Sequence, residues 1–191
     1  MIDIQKEIEK KFPNMNKKEN FLKKSLFKIA KKIVHEDSIN QFLSQNAHLK
    51  GFEFVDAALD YFDFDYAISS NDLQNIPTSG KVVIIANHPL GGLDALCLLR
   101  LIGQIRKDVK IIANDFLAGF EALNSLIITI DNYKQKQSKS DIKKIYEALK
   151  NEEAVIIFPA GEVSRATAKG IKDPAWNKGF LNFAQNTNAP I

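Results

Sequence analysis

A histidine and an aspartate stand six positions apart in Asn87-His88-Pro89-Leu90-Gly91-Gly92-Leu93-Asp94, directly after the apolar run Val82-Val83-Ile84-Ile85-Ala86. A carboxylate this close to a histidine can accept one imidazole N–H and leave the other nitrogen free to take a proton from a nucleophile. The pair falls where a buried strand gives way to a loop, which is how a catalytic base is presented. Capping of the following helix is the plainer role for His88, but it leaves the Gly91-Gly92 pair without a use. A second group, Phe158-Pro159-Ala160-Gly161-Glu162-Val163-Ser164-Arg165, follows another apolar run. The planar fork of Arg165 suits a phosphate or a carboxylate, and its alternative is a surface ion pair with Glu162.

The elements that must hold these residues can be read from hydrophobic patterning. Four short runs rich in Ile and Val recur, at Val82 to Ala86, Val109 to Ala113, Leu126 to Ile130 and Ala154 to Phe158. Continuous apolar runs without alternation suit strands covered on both faces. Helical patterns fall between them, from Leu93 to about Ile105 and from about Ser140 to Lys150, the latter preceded by Ser138 with Asp141 three residues on, a capping-box arrangement. Alternating strands and helices give an α/β fold with a mostly parallel sheet flanked by helices. Functional groups in such sheets collect beyond the carboxyl ends of the strands. His88, Asp94, Asp115, Asp131, Glu162, Ser164 and Arg165 are then expected on one rim, with Asn114 and Asp115 more naturally helix caps.

Residues 1–75 have another character. Nine lysines between Lys10 and Lys32 face only Glu19, and Phe21, Leu22, Leu26, Phe27, Ile29, Ala30, Ile33 and Val34 fall near helical spacing. This reads as a basic amphipathic helix, fit either to lie on an anionic bilayer or to pack on the sheet domain. An acidic, aromatic stretch from Asp56 to Tyr66 suggests another helix, and Asn71 to Gly80 reads as a loop entering the first strand. The α/β domain then occupies residues 76–191. The ending Asn188-Ala189-Pro190-Ile191 resembles the approach to another strand, so the domain reads as truncated at its carboxyl end.

Composition narrows the classes. At 191 residues and 45% hydrophobic content, one globular domain with a proper core is the default, and a net charge of +3 gives no reason to expect nucleic acid as a partner. Cys97 is the single cysteine and reads as a small core residue; with no disulfide available and no secretory signal or spanning run, a cytoplasmic, peripheral protein on the inner face of the cell membrane is expected. His35, His48, His88 and Cys97 lack zinc-type spacing, so no metal and no cofactor are expected. A Gly-x-Ser-x-Gly elbow and a Walker loop are both missing, which argues against serine hydrolases and nucleotide hydrolases.

Taken together in order, each after a strand, the two motifs resemble those of the lysophospholipid and glycerolipid acyltransferases, in particular the hemolysin-like branch associated with lyso-ornithine and related aminolipids. The resemblance covers roughly residues 81–191. It implies transfer of a fatty acyl group from a thioester, on acyl carrier protein or coenzyme A, to a lysolipid hydroxyl at a membrane surface. His88 would be the general base and Asp94 its orienting partner. Asn87, Gly91, Gly92, Asp131, Phe158, Pro159, Gly161, Glu162, Ser164 and Arg165 would line the substrate site, with Lys169, Lys172 and Lys178 extending a positive rim.

The chain departs from the family pattern in three places. Five residues separate His88 from Asp94, one more than is usual; Asn132 stands where an arginine often follows Ile-Asp; and Ala160 occupies a position commonly held by Glu, with Glu162 two places on. The pattern favours an amino-acid lysolipid over glycerol 3-phosphate or lysophosphatidic acid. A non-catalytic lipid-binding protein of the same fold is the alternative, and a thioesterase-like activity, with water in place of the lipid, is a second enzymatic one.

Overall fold

The computed structural model describes residues 35–113, 119–130, 138–168 and 170–191, and the chain divides into two compact units, Met1–His48 and Leu49–Ile191. The first contributes helix α1 (Glu36–Gln45). The expected basic helix around Phe21 to Val34 lies outside the described residues, as do Asn114, Asp115, Asp131, Asn132 and Lys169.

The second unit opens with α2 (Phe52–Tyr61) and the single helical turn α3 (Ser70–Leu73). Helix α2 starts earlier than the acidic stretch suggested, and Asp63 soon after its end has a φ of 47° that no helix continues through. The turn α3 falls within the stretch expected to be loop: the Ser69 hydroxyl accepts the Asp72 N–H at 3.1 Å and so closes a turn there. Then come β1 (Val82–Ile85), α4 (Gly92–Ile105), β2 (Val109–Ala113), a short 3-10 turn at Glu121–Leu123, β3 (Ile127–Thr129), α5 (Lys139–Lys150) and β4 (Ala154–Ile157). Ser138 caps α5 as its spacing foretold, its hydroxyl accepting the Asp141 N–H at 3.1 Å. A hairpin of β5 (Arg165–Thr167) and β6 (Gly170–Lys172), and a last helix α6 (Gly179–Thr187), complete the unit. The hairpin was not anticipated, because β5 and β6 are exposed at every position and carry no hydrophobic alternation; nor was α6, in which only Phe183 and Ala184 are buried.

Strands β1 to β4 form one parallel sheet in the order β1-β4-β2-β3, the mixed α/β architecture that the apolar runs imply. Strand β4 lies between β1 and β2 and is buried at all its positions, which explains its unbroken Ala-Val-Ile-Ile run. Helices α5 and α6 cover one face around Val83, Ile145, Leu149, Val155 and Phe183; α4 packs on β2 and in turn receives α2. Gly103 permits that last contact, since a Cβ there would lie 2.6 Å from the Phe52 ring at Cδ1 and nearer still at Cε1. At the end of the chain the Pro190 carbonyl accepts the Val83 N–H at 2.9 Å.

The edge of the sheet where β1, β2 and β4 begin is fastened by one cation. Arg106 is 4% exposed; its guanidinium grips Asp108 at 2.7 and 2.8 Å and also donates to the carbonyls of Pro77, Gly80 and Glu152. The planar five-donor fork is what lets a single side chain satisfy so many acceptors. Arg106→Ala is expected to lower the unfolding free energy by about 3 kcal/mol, with Arg106→Lys recovering only a minor part; urea denaturation with an unchanged m value checks both.

Candidate active site

Strands β1 and β4 are neighbours in register, with Ile85 opposite Ile157, so the two loops that leave their carboxyl ends start side by side. The first carries His88 to Asp94 and the second Phe158 to Arg165. Residues some seventy positions apart in sequence meet here because β4 inserts between β1 and β2.

Pro89 favours an extended backbone at His88 and turns the chain away from the strand. The His88 Nδ1 lies 3.2 Å from Asp94 Oδ2, and the Leu90 N–H donates to the same oxygen at 2.7 Å. Asp94 is thus held from two sides, in the first turn of α4. The additional residue between His88 and Asp94 is accommodated by Gly91, whose φ of 72° and ψ of −125° suit glycine alone. With the Asp94 carboxylate as acceptor, Nδ1 would be the donor and Nε2 would keep its lone pair.

The second loop closes over this pair. Phe158 stacks on the imidazole with ring centroids 4.0 Å apart and planes 18° from parallel, and the Ser164 N–H donates to the His88 carbonyl at 2.8 Å. A turn brings this about, with the Gly161 N–H on the Phe158 carbonyl at 3.0 Å, Pro159 at its second position and Gly161 at φ 70°. The His88 and Asp94 side chains retain only 16% and 13% of their exposure. Burial drives the His88 pKa below its ordinary value, while Asp94 and, more weakly, Asp173 act in the opposite sense. Burial thus tips the ring toward its neutral form, the form in which an imidazole can accept a proton.

Of the other candidate residues, Gly91 and Gly92 lie in the chain between His88 and Asp94, Ser164 is bonded to the His88 backbone, Gly161 belongs to the turn after Phe158, and Asn87 is exposed. Pro159 is buried, with its carbonyl accepting the Asn177 N–H at 2.9 Å, so it braces the loop instead of facing the rim. Phe158 covers the imidazole of His88. Arg165 is ion-paired with Glu162 at 2.7 Å, both exposed, and that partner holds its pKa up. Lys172 and Lys178 are exposed. Cys97 is half-buried within α4. Among the described residues, no three His, Cys, Asp or Glu side chains come together to hold a metal ion, and no helix is long and apolar enough to cross a membrane.

Sequence patterning missed Asp173. Its carboxylate accepts the Ser164 hydroxyl on one oxygen and the Trp176 indole N–H, at 2.8 Å, on the other. The available signal was a lone carboxylate three residues before the chain's single tryptophan, between a hairpin and a helix that were themselves not foreseen.

The family model described as Acyltransferase matches residues 7–190. A protein named lyso-glycine lipid O-acyltransferase from Phocaeicola vulgatus is 31% identical over 192 residues, covering 100% of this chain and 67% of the relative. A protein of the same name from Bacteroides thetaiotaomicron is 32% identical over 182 residues, covering 95% of this chain and 65% of the relative. The chain spans about two thirds of the length of these relatives. No solved structure matches it significantly.

Because desolvation is the largest influence on His88, removing its aromatic cover has a defined consequence. In Phe158→Ala the ring is expected to titrate at higher pH than in the parent, read from its Cε1–H resonance, since water reaches the imidazolium while Asp94 stays in place.

Proposed function

The chain belongs to the acyltransferase family, and from that membership we propose that it moves a fatty acyl group from an acyl thioester, on acyl carrier protein or coenzyme A, onto the hydroxyl of an amino-acid lysolipid. The observation that carries this reading is a largely buried His88 whose Nδ1 lies 3.2 Å from Asp94, in the loop that leaves the carboxyl end of β1. Two relatives named for a lyso-glycine lipid support an amino-acid head group.

In this mechanism Nε2 of His88 takes the proton of the acceptor hydroxyl as its oxygen attacks the thioester carbonyl. Asp94 stabilises the imidazolium that forms, so no protein nucleophile is required. The Asp94 N–H is taken by the Gly91 carbonyl at 3.2 Å, and the preceding N–H groups of Gly91 and Gly92 would be the donors to a developing oxyanion. Collapse of the tetrahedral intermediate breaks the carbon–sulfur bond, and the imidazolium returns its proton to the departing thiolate. Arg165, now on Glu162, offers its fork to a head-group carboxylate, with Gly161, Glu162 and Ser164 around it and Asn87 and Asp131 as further contacts.

The acceptor resides in a membrane, and the rim is suited to meeting one. Leu90 (52%), Val163 (44%), Ile171 (64%) and Trp176 (42%) are exposed apolar side chains on the two motif loops, the hairpin and the segment after it. Lipid at the membrane surface is accordingly the proposed partner, on the inner face of the cell membrane.

Acyl transfer from labelled acyl carrier protein and acyl coenzyme A to a panel of lysolipids tests the reaction. Product is expected with an amino-acid lysolipid, and His88→Ala and Asp94→Asn should each lose about 10²- to 10⁴-fold in kcat/KM. Thioester consumption that ignores the acceptor would point instead to hydrolysis, and none at all to a lipid-binding protein without turnover. Ile171→Glu should weaken sedimentation with anionic vesicles about tenfold, while activity on detergent-dispersed acceptor is kept.

A further inference from the structure

Asp173 lies outside both motifs, yet its contacts converge on the base. Its Oδ1 accepts the Ser164 hydroxyl, its Oδ2 the Trp176 indole N–H at 2.8 Å, and the backbone N–H of the same Ser164 holds the His88 carbonyl at 2.8 Å. A continuous chain of hydrogen bonds thus runs from the carboxylate through Ser164 to the backbone of the histidine. Two donors acting on one carboxylate fix its orientation as well as its place.

We propose that Asp173 is a positioning residue for His88, tying the second motif to the backbone of the first and holding a second negative charge toward the imidazole. The proposal rests on His88 being the base of the reaction proposed above.

The charged groups facing the ring are then Asp94 from α4 and Asp173 from the segment after β6, while Glu162 and Arg165 satisfy each other. Asp173 stays ionised, since the Ser164 hydroxyl, then the Trp176 indole, and more weakly the His88 backbone N–H and ring, hold its carboxyl below the usual range. Asp94 addresses a ring nitrogen directly. Asp173 works through the backbone and through space, so it governs where the ring sits and how readily it accepts a proton without touching substrate.

Full-length Asp173→Asn decides this. The His88 Cε1–H resonance, assigned by its loss in His88→Ala, should titrate at lower pH than in the parent. The acidic limb of kcat/KM should move the same way, with kcat falling about 10- to 100-fold and the acceptor KM little changed. Asp173→Glu, which keeps the charge, should bring the midpoint back toward the parent value. An unmoved midpoint in a folded Asp173→Asn protein overturns the proposal, however much activity is lost. Should that variant not fold, Ser164→Ala takes its place: with the carboxylate no longer held toward the ring the midpoint should again fall, and an unmoved one overturns the proposal. Absence of acyl transfer with every acceptor would sink the acyltransferase reading and leave the ring titration to decide the role of Asp173.

Discussion

Everything at the rim depends on the pairing of β4 with β1. Their register, Ile85 against Ile157, sets the departure points of two loops separated by most of the domain's length, and every contact across the site follows from it. The Phe158 ring can stack on His88, and the Ser164 N–H can reach the His88 carbonyl, only because the strands beneath them are adjacent and parallel. Parallel neighbours require a crossover, and here the excursion from β1 to β4 passes through α4, β2, β3 and α5 before the chain returns. That excursion also delivers Asp94, since α4 starts within the first motif itself.

The two edges of the sheet divide the labour. Arg106 binds the edge where β1, β2 and β4 begin by supplying donors to Asp108 and to three carbonyls, two in the loop before β1 and one before β4, so the chain can close there without stranded polar groups. At the opposite edge the loops are tied mostly to one another: Ser164 to His88, Asn177 to Pro159, Leu90 to Asp94, Trp176 to Asp173. Such bonds fix the loops relative to each other while leaving Leu90, Val163, Ile171 and Trp176 exposed. Loops bonded to one another above a sheet whose inner strand β4 is buried throughout let a pair of polar side chains keep its geometry at a surface that also carries apolar groups.

The sheet, its helices and the meeting of the motifs were legible because apolar runs of strand length, separated by helical periodicity, leave little freedom in fold class. The capping of α5 was legible for a local reason, since Ser138 and Asp141 are close in sequence and one hydrogen bond decides the matter. Strand order was not legible, because every parallel neighbour presents the same kind of run, and only the pairing distinguishes β1-β4 from other arrangements. The hairpin escaped notice for the opposite reason, β5 and β6 having no buried face to leave a pattern, and α6 because only Phe183 and Ala184 of it are buried. Phe158 and Pro159 show the limit for side chains. A motif reveals which residues gather at a place, whereas their division into cover, brace and rim depends on directions that only the folded loop defines.

The balance at His88 follows from these placements. A general base that works near neutral pH must be unprotonated before reaction and charged midway through it, and the two requirements oppose each other. Burial beneath Phe158 favours the neutral ring, whereas Asp94 and Asp173 favour the imidazolium, and burial prevails in the resting protein. As a proton arrives the same carboxylates are already oriented, Asp94 by the Leu90 N–H and Asp173 by Ser164 and Trp176, so little further reorganisation is needed.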